Sequence, residues 1–286
     1  MTTTQTTKTF FVTGVSSGLG RALAEAVLAS GGRVAGTLRR PEQVAAFEAL
    51  APGRAVAFVA DVTDPAAVRA AVDGAVERFG RIDVVASNAG AGTVGAVEET
   101  SPAEARAIFE LNAIGQLNLA HAALPVLRAQ GSGHWLSFSA VGGFTGFPGL
   151  GVYSAAKAAA DVMAEAMAQE IAPFGIRTTI LTLGIFRTRF AAGSLAYVDR
   201  EMAEYAETPA GKFRGFIGGL DGKQPNDPAK AAEAIVALVE HPEPPLHLAL
   251  GADAVGVMRK KLAAVGADLD AWEATAKGVA FETEAA

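Results

Sequence analysis

Residues 8–20 read KTFFVTGVSSGLG. The apolar, β-branched run up to Gly14 reads as a buried strand. The stretch from about Leu19 to Ser30, stopped by Gly31 and Gly32, reads as a helix. Between them, Gly14, Gly18 and Gly20 let the backbone turn tightly and approach a ligand closely. The helix that begins there presents free N–H groups and a partial positive charge, which suits a pyrophosphate. An ordinary strand-to-helix turn has the same ingredients. What favours a nucleotide is position after the first strand of a βαβ unit.

The rest of the chain supplies that context. RVAGTL (33–38), RAVAFVA (54–60), IDVVAS (82–87), HWLSFS (134–139), IRTTILT (176–182) and PLHLAL (245–250) repeat the strand signal. Helical segments lie between them, near 41–50, 65–79, 102–129 and 152–173. This rhythm predicts an α/β fold, with a doubly wound parallel sheet and helices on both faces. Near-continuous apolar strands fit a sheet covered on both sides. Residues 185–227 break the rhythm: Phe186, Phe190, Tyr197, Tyr205, Phe213 and Phe216 sit among charges and glycines with no strand signal. An insertion of that length reads as a helical lid over a site. Residues 252–286 read as a carboxyl-terminal extension of one or two surface helices with a frayed tail. No linker separates the parts, so 1–286 reads as a single domain.

Composition narrows the function. Half of the residues are hydrophobic, the formal net charge is −6, and no long run of one sign occurs. Neither nucleic acid nor an anionic membrane is suggested as a partner. Without cysteine the chain has no disulfide framework and no thiolate chemistry. The polar start MTTTQTTKTFF lacks the features of a signal peptide. No apolar run approaches the roughly 20 residues of a membrane span. A cytoplasmic protein is the expectation. His121, His134, His241 and His247 show no metal-ligand spacing and read as structural, with no metal expected. Glu98 and Glu99, like Glu282 and Glu284, read as solvated charges.

One further stretch bears on chemistry. GVYSAAKAA (151–159) places Tyr153 and Lys157 four apart among small residues, on one face of a helix. Taken alone, it is equally a helix with a tyrosine and a solvated lysine. Asn112, within LNAIG, could cap or kink its helix.

TGVSSGLG (13–20), SNAG (87–90), LNAIG around Asn112, YSAAK (153–157) and LGIFRT (183–188), in this order, resemble the motifs of the short-chain dehydrogenase/reductase family of the single-domain type. The resemblance spans roughly residues 8–250. It implies a Rossmann-type sheet of seven strands, with the lid after the sixth. It also implies a nicotinamide cofactor held by Gly14, Ser16, Ser17, Gly18, Leu19 and Gly20, with Asp61 and Val62 at the adenine. Asn88, Ala89 and Gly90 would lie beside the ribose, and Gly184 and Thr188 at the nicotinamide. Tyr153, Lys157 and Asn112 would be catalytic, with Tyr153 the proton donor, Lys157 its partner on the ribose and Asn112 the support of a proton relay. An ammonium ~4 Å from the phenol, at an effective dielectric of ~20, contributes about 4 kcal/mol. That would draw a pKa of about 10 toward neutrality. The family habit also implies a homodimer or homotetramer.

Three departures sharpen the expectation. At the end of the second strand, Leu38 stands where NAD-preferring enzymes carry an acid, and Arg39 and Arg40 follow. Forked guanidinium donors match a phosphate, so NADP(H) is the expected cofactor. Leu183-Gly184 lacks the family's proline, which predicts a looser entrance to the lid. Phe144, Phe147, Leu150, Ile185 and Phe186 are the expected walls of an apolar pocket for a bulky carbonyl or alcohol. At that pocket, Ala140 occupies the position of the family's substrate-binding serine. Ser139, one residue earlier, should point away. Two alternatives stay open on that ground: a cofactor-binding regulatory protein with weak or no turnover, or a family member acting on C=N bonds.

Overall fold

A computed structural model describes residues 7–281. The expected frayed tail, with Glu282 and Glu284, lies outside the described residues, as do residues 1–6. The chain runs β1 (Thr9–Thr13), α1 (Gly18–Ala29), β2 (Arg33–Leu38), α2 (Val44–Glu48), β3 (Ala55–Val59), α3 (Pro65–Phe79), β4 (Val84–Ser87) and β5 (Gly92–Val94). It continues through α4 (Pro102–Phe109), α5 (Gly115–Gln130), β6 (Gly133–Phe138), α6 (Val141–Phe144), α7 (Gly151–Ile171) and β7 (Ile176–Leu183). After β7 come α8 (Phe190–Gly193), β8 (Leu195–Tyr197), α9 (Pro209–Gly218), α10 (Pro228–Glu240), β9 (His247–Leu250) and α11 (Ala252–Lys277).

Seven strands form one parallel sheet in the order β3-β2-β1-β4-β6-β7-β9. This is the doubly wound, seven-stranded Rossmann-type arrangement expected. Alternation along β1 explains the two layers. Phe10 and Val12 pack with Leu23 and Val27 of α1 and Ile235 and Val239 of α10. Phe11 faces the other way, toward Val68 and Val72 of α3 and Leu119 and Leu127 of α5. All three β1 side chains are fully buried, each contributing about 1.5–3 kcal/mol.

Helix ends follow their sequence signals. The Asp64 side chain accepts hydrogen bonds from the N–H groups of Ala66 and Ala67 at the start of α3, and Gly80 closes that helix at φ 79°. Ser101 and Glu104 make a reciprocal capping box on α4. Ser17, before α1, makes no such side-chain bond. The first-turn N–H groups of that helix therefore have no side-chain cap and stay available to an anion.

Two expectations need correction. The helix expected over 102–129 is interrupted by a π turn at Glu110–Ile114, which contains Asn112. Residues 185–227 are not free of strand: β8 pairs in parallel with β5, joining Gly92 to Leu195 and Val94 to Tyr197. A three-residue strand is too short to show periodicity, and its partner lies a hundred residues upstream.

Phe11→Ala should cost about 3–5 kcal/mol in chemical denaturation, because α3 and α5 cannot both close onto the vacated site. Val162→Ala, at a position 63 % exposed on α7, should stay within about 0.5 kcal/mol of the parent.

Candidate active site

The strand order reverses between β1 and β4, the place where open α/β sheets bind ligands. The ends of these strands are locked together. The Thr13 hydroxyl accepts from the backbone N–H groups of Asn88 and Ala89, both at 3.0 Å. The Asn88 amide donates to the carbonyls of Thr13 (2.8 Å) and Gly14 (3.2 Å). Asn88 thus holds the glycine turn itself. Gly14 and Gly18 have φ of 76° and 62°, in the region that favours glycine. A methyl on Gly20 would lie 2.3 Å from the Gly14 carbonyl oxygen. Gly20 therefore does not line the cavity; its bare backbone lets α1 close on the turn.

A cavity of about 720 Å³ starts at this turn. Ser16, Ser17, Gly18 and Leu19 line it, with Asp61, Val62, Ala89 and Gly90 farther along. Arg39 and Arg40 stand exposed on its wall, with no acidic partner among the described residues. The other end is lined by Ala140, Phe147, Leu150, Gly184, Ile185, Phe186 and Thr188. Phe144 does not join them: it is half-buried on α6, which packs on α7 and the base of α11. Phe190, Phe213 and Ile217 of the 185–227 segment complete the apolar wall. The Phe190 ring lies 6.4 Å from that of Tyr153, tilted by 50°.

Tyr153 and Lys157 share the buried floor, 7 % and 8 % exposed. The Lys157 ammonium donates to the Phe138 carbonyl at 2.8 Å. Asn112 lies behind the cavity wall. Its amide donates to the carbonyls of Ala91 (2.9 Å) and Ile108 (3.0 Å), and its buried Oδ1 has no partner. A methyl on Gly90 would come 2.7 Å from that Oδ1 and 3.3 Å from Lys157 Nζ. The bare Gly90 backbone leaves room for both polar groups at these positions.

The electrostatics differ from the expectation. Burial pushes the Tyr153 phenol well above the usual tyrosine range, and the Asp161 charge adds to the rise. Burial also lowers the Lys157 pKa, with Asp161 opposing. The phenol is therefore not drawn toward neutrality in this arrangement. The shift holds the phenol in its protonated form and by itself makes it a weaker proton donor.

Asp161, one turn past Lys157, had no signal in sequence beyond its place on the same face. Ser139 donates to its Oδ2 at 2.6 Å, and its Oδ1 is buried without a partner. Burial pushes the Asp161 carboxyl up to about 6, against the downward pull of the Ser139 hydrogen bond and the Lys157 charge. Glu165 adds to the rise and His247 opposes it.

The lid is tied down more firmly than its composition suggests. Ile185 N–H and the Asn226 amide donate to the Asp253 carboxylate at 2.7 and 2.8 Å. The Leu183-Gly184 turn, without the proline, is thus tied to the first turn of α11. Glu99 is not a solvated charge. It is 5 % exposed and accepts from the backbone N–H groups of Ala96 (2.8 Å) and Met202 (2.9 Å). Burial works to raise its pKa, but these two bonds, together with the Arg214 and Arg200 charges, hold the carboxyl below its usual range. Glu98 accepts from the Tyr205 hydroxyl at 2.7 Å. Of the histidines, His134 is buried against the Thr179 hydroxyl at 3.0 Å, and burial lowers its pKa to about 3. Among the described residues no helix is long and apolar enough to cross a membrane.

Topology and turn chemistry define the class: a Rossmann-type oxidoreductase that binds a nicotinamide cofactor. The profile of the short chain dehydrogenases matches residues 8–196, and the chain belongs to that family. Oxidoreductase BOA17 of Botryotinia fuckeliana is 38 % identical over 267 residues, covering 93 % of this chain and 97 % of that protein. A 3-ketodihydrosphingosine reductase of Bacteroides thetaiotaomicron is 31 % identical, over 84 % of this chain and 86 % of the relative. The crystal structure of a short-chain dehydrogenase from Streptomyces avermitilis superposes with a TM-score of 0.88 at 42 % identity. It covers 96 % of this chain and 100 % of its own.

The raised Asp161 pKa fixes a sign for pH-dependent stability. The folded carboxyl binds its proton more tightly than an unfolded one, whose pKa is about 3.9. Its contribution to stability is therefore fullest below about pH 4 and declines until the pH passes about 6. Asp161→Asn, measured by urea unfolding, should gain on the parent by on the order of 2 kcal/mol between about pH 4 and pH 7.

Proposed function

We propose that this single-domain protein is an NADP(H)-dependent oxidoreductase of the cytoplasm, working as a homodimer or homotetramer. It would move hydride between the nicotinamide and the carbonyl or alcohol of an apolar, fairly bulky substrate. The observation that carries this reading is one continuous cavity with Arg39 and Arg40 at one end and buried Tyr153 and Lys157 at the other. When bound, the nicotinamide supplies or takes up the hydride.

The residues present fit that cofactor. The uncapped first turn of α1 suits the pyrophosphate, and Asp61, Val62, Asn88, Ala89 and Gly90 suit the adenosine. Gly184 and Thr188 suit the nicotinamide amide. Arg39 and Arg40 have no competing carboxylate and suit a 2′-phosphate. Lys157 would hold the nicotinamide ribose, with Asn112 Oδ1 and Gly90 at the path by which a proton returns. In reduction, Tyr153 would give its proton to the carbonyl oxygen as the carbon gains hydride. The apolar wall of Phe147, Leu150, Ile185, Phe186 and Phe190 supports a bulky apolar substrate, in line with a relative named for reducing 3-ketodihydrosphingosine.

The cofactor reading is checked by steady-state kinetics with both nucleotides. NADPH should exceed NADH in kcat/KM by at least tenfold, and Arg39→Ala should remove most of that margin. Equal values for both nucleotides, unchanged by Arg39→Ala, would sink it.

Ala140 lines the cavity where a hydroxyl would face the substrate, and Ser139 Oγ is committed to Asp161. Tyr153 would then be the sole donor to the carbonyl oxygen. Losing one such donor costs on the order of 10²–10³ in rate. Ala140→Ser should accordingly raise kcat on a simple aryl ketone by at least tenfold, whereas Ser139→Ala should leave turnover within a few fold. The opposite pattern would make Ser139 the working serine. The missing donor also favours a second reading, a C=N substrate, which a panel of cyclic imines would reveal.

A further inference from the structure

Helix α11 docks on the domain only through its start: it touches β9 and α6, and Ala254 is its one fully buried residue. From Arg259 to Lys277 every described residue except Gly266 is exposed. At about 1.5 Å per residue, close to 30 Å of helix stands in water. That stretch is not polar all round. Leu262, Val265, Leu269 and Trp272 are 61, 40, 65 and 66 % exposed. With Val255 and Met258 before them and Ala276 after, they recur at strictly alternating intervals of three and four. That is the narrow a/d seam of a two-stranded supercoil, not the wider stripe of a helix laid on a globular core.

We propose that α11 pairs with α11 of a second copy of this chain, antiparallel, along the seam Leu262–Val265–Leu269–Trp272. Charge decides the partner and its direction. The first half of the exposed stretch carries Arg259, Lys260 and Lys261, the second Asp268, Asp270 and Glu273. An antiparallel copy sets each basic half against an acidic one. A parallel copy stacks like on like. Arg259 and Glu273 each follow a seam residue, Met258 and Trp272, so they lie on the same flank and face each other across the antiparallel pair. No ion pair inside the molecule engages Arg259, Lys260 or Lys261 among the described residues. A membrane surface fits less well, because such helices carry a basic polar face, and here four cations, Lys277 included, are interspersed with three acids. Two copies of the four large seam residues, with the stems of the flanking charges, remove on the order of 1,000 Å² from water, the floor for a specific interface. The inference concerns a surface away from the cavity and does not depend on the proposed reaction.

The test is the mass of the full chain by sedimentation equilibrium and light scattering. Leu262→Glu combined with Leu269→Glu should halve it. Both side chains are exposed, so the thermal melt and turnover should be preserved. An unchanged mass overturns the proposal. Trp272 gives a local readout, since Trp135 is fully buried: its emission should shift to the red on dilution of the parent and be red at all concentrations in the double variant. Direction is read by charge reversal. Arg259→Glu with Lys261→Glu, and separately Asp268→Lys with Glu273→Lys, should each weaken association at least tenfold. An equimolar mixture of the two should regain the parent mass, and a mixture that stays dissociated overturns the antiparallel pairing. Vesicles of zwitterionic and anionic lipid that capture the parent but not the Leu262→Glu variant, with no difference in mass in solution, would assign the seam to a membrane and overturn it.

Discussion

A lysine ammonium only 8 % exposed has to be paid for by its surroundings, and much of this site follows from that constraint. Lys157 meets it with one carbonyl, that of Phe138 at 2.8 Å, which ties the middle of α7 to the end of β6. Around this bond the neighbours are small or bare. Gly90 must lack a side chain, because a methyl there would press on both Asn112 Oδ1 and Lys157 Nζ. Gly143 is under the same constraint, since its methyl would fall 2.4 Å from Asp161 Oδ2 and 2.6 Å from Ser139 Oγ. A buried cation, a buried acid and a buried hydroxyl thus fix the backbone of three separate elements against one another.

The second organising feature is how the 185–227 segment is held. Its entrance is clamped by Asp253, and its middle by Glu99 through Met202 N–H. Strand pairing of β8 with β5 adds a third tie. Two of these anchors are carboxylates: Glu99 accepts from two backbone N–H groups, and Asp253 from the Ile185 N–H and the Asn226 side-chain amide, bonds that are stronger than neutral ones. The segment is therefore a wall with defined attachments, and its aromatic residues are presented to the cavity by those attachments. That the first clamp lies on α11 places the start of the proposed seam helix next to the entrance of the site.

The strand segments, the sheet's two-sided burial, the glycine turn and the Tyr–Lys face could all be read from the chain, because each depends on a pattern within one short stretch. Alternation in KTFFVT, glycines at fixed offsets and a four-residue interval on a helix are local patterns, and the fold realises them directly. The absence of an acid at Leu38, with Arg39 and Arg40 beyond it, is likewise a local statement about one strand end.

What only the tertiary structure decided are the contacts between residues far apart in sequence. Glu99 looked like a solvated charge because nothing near it in the chain reveals that Met202 donates to it from the lid. Asp161 had no visible role until folding buried it against Ser139, 22 residues upstream. The expected lowering of the Tyr153 pKa by Lys157 is reversed for the same reason: proximity on a helix sets which groups meet, but desolvation by the whole fold also acts on them, and here it pushes the phenol pKa up. Phe144 shares a short segment with true wall residues, yet the docking of α6 turned it aside. Periodicity and spacing are properties of the chain; burial, and the partners each buried polar group finds, exist only once distant segments have packed.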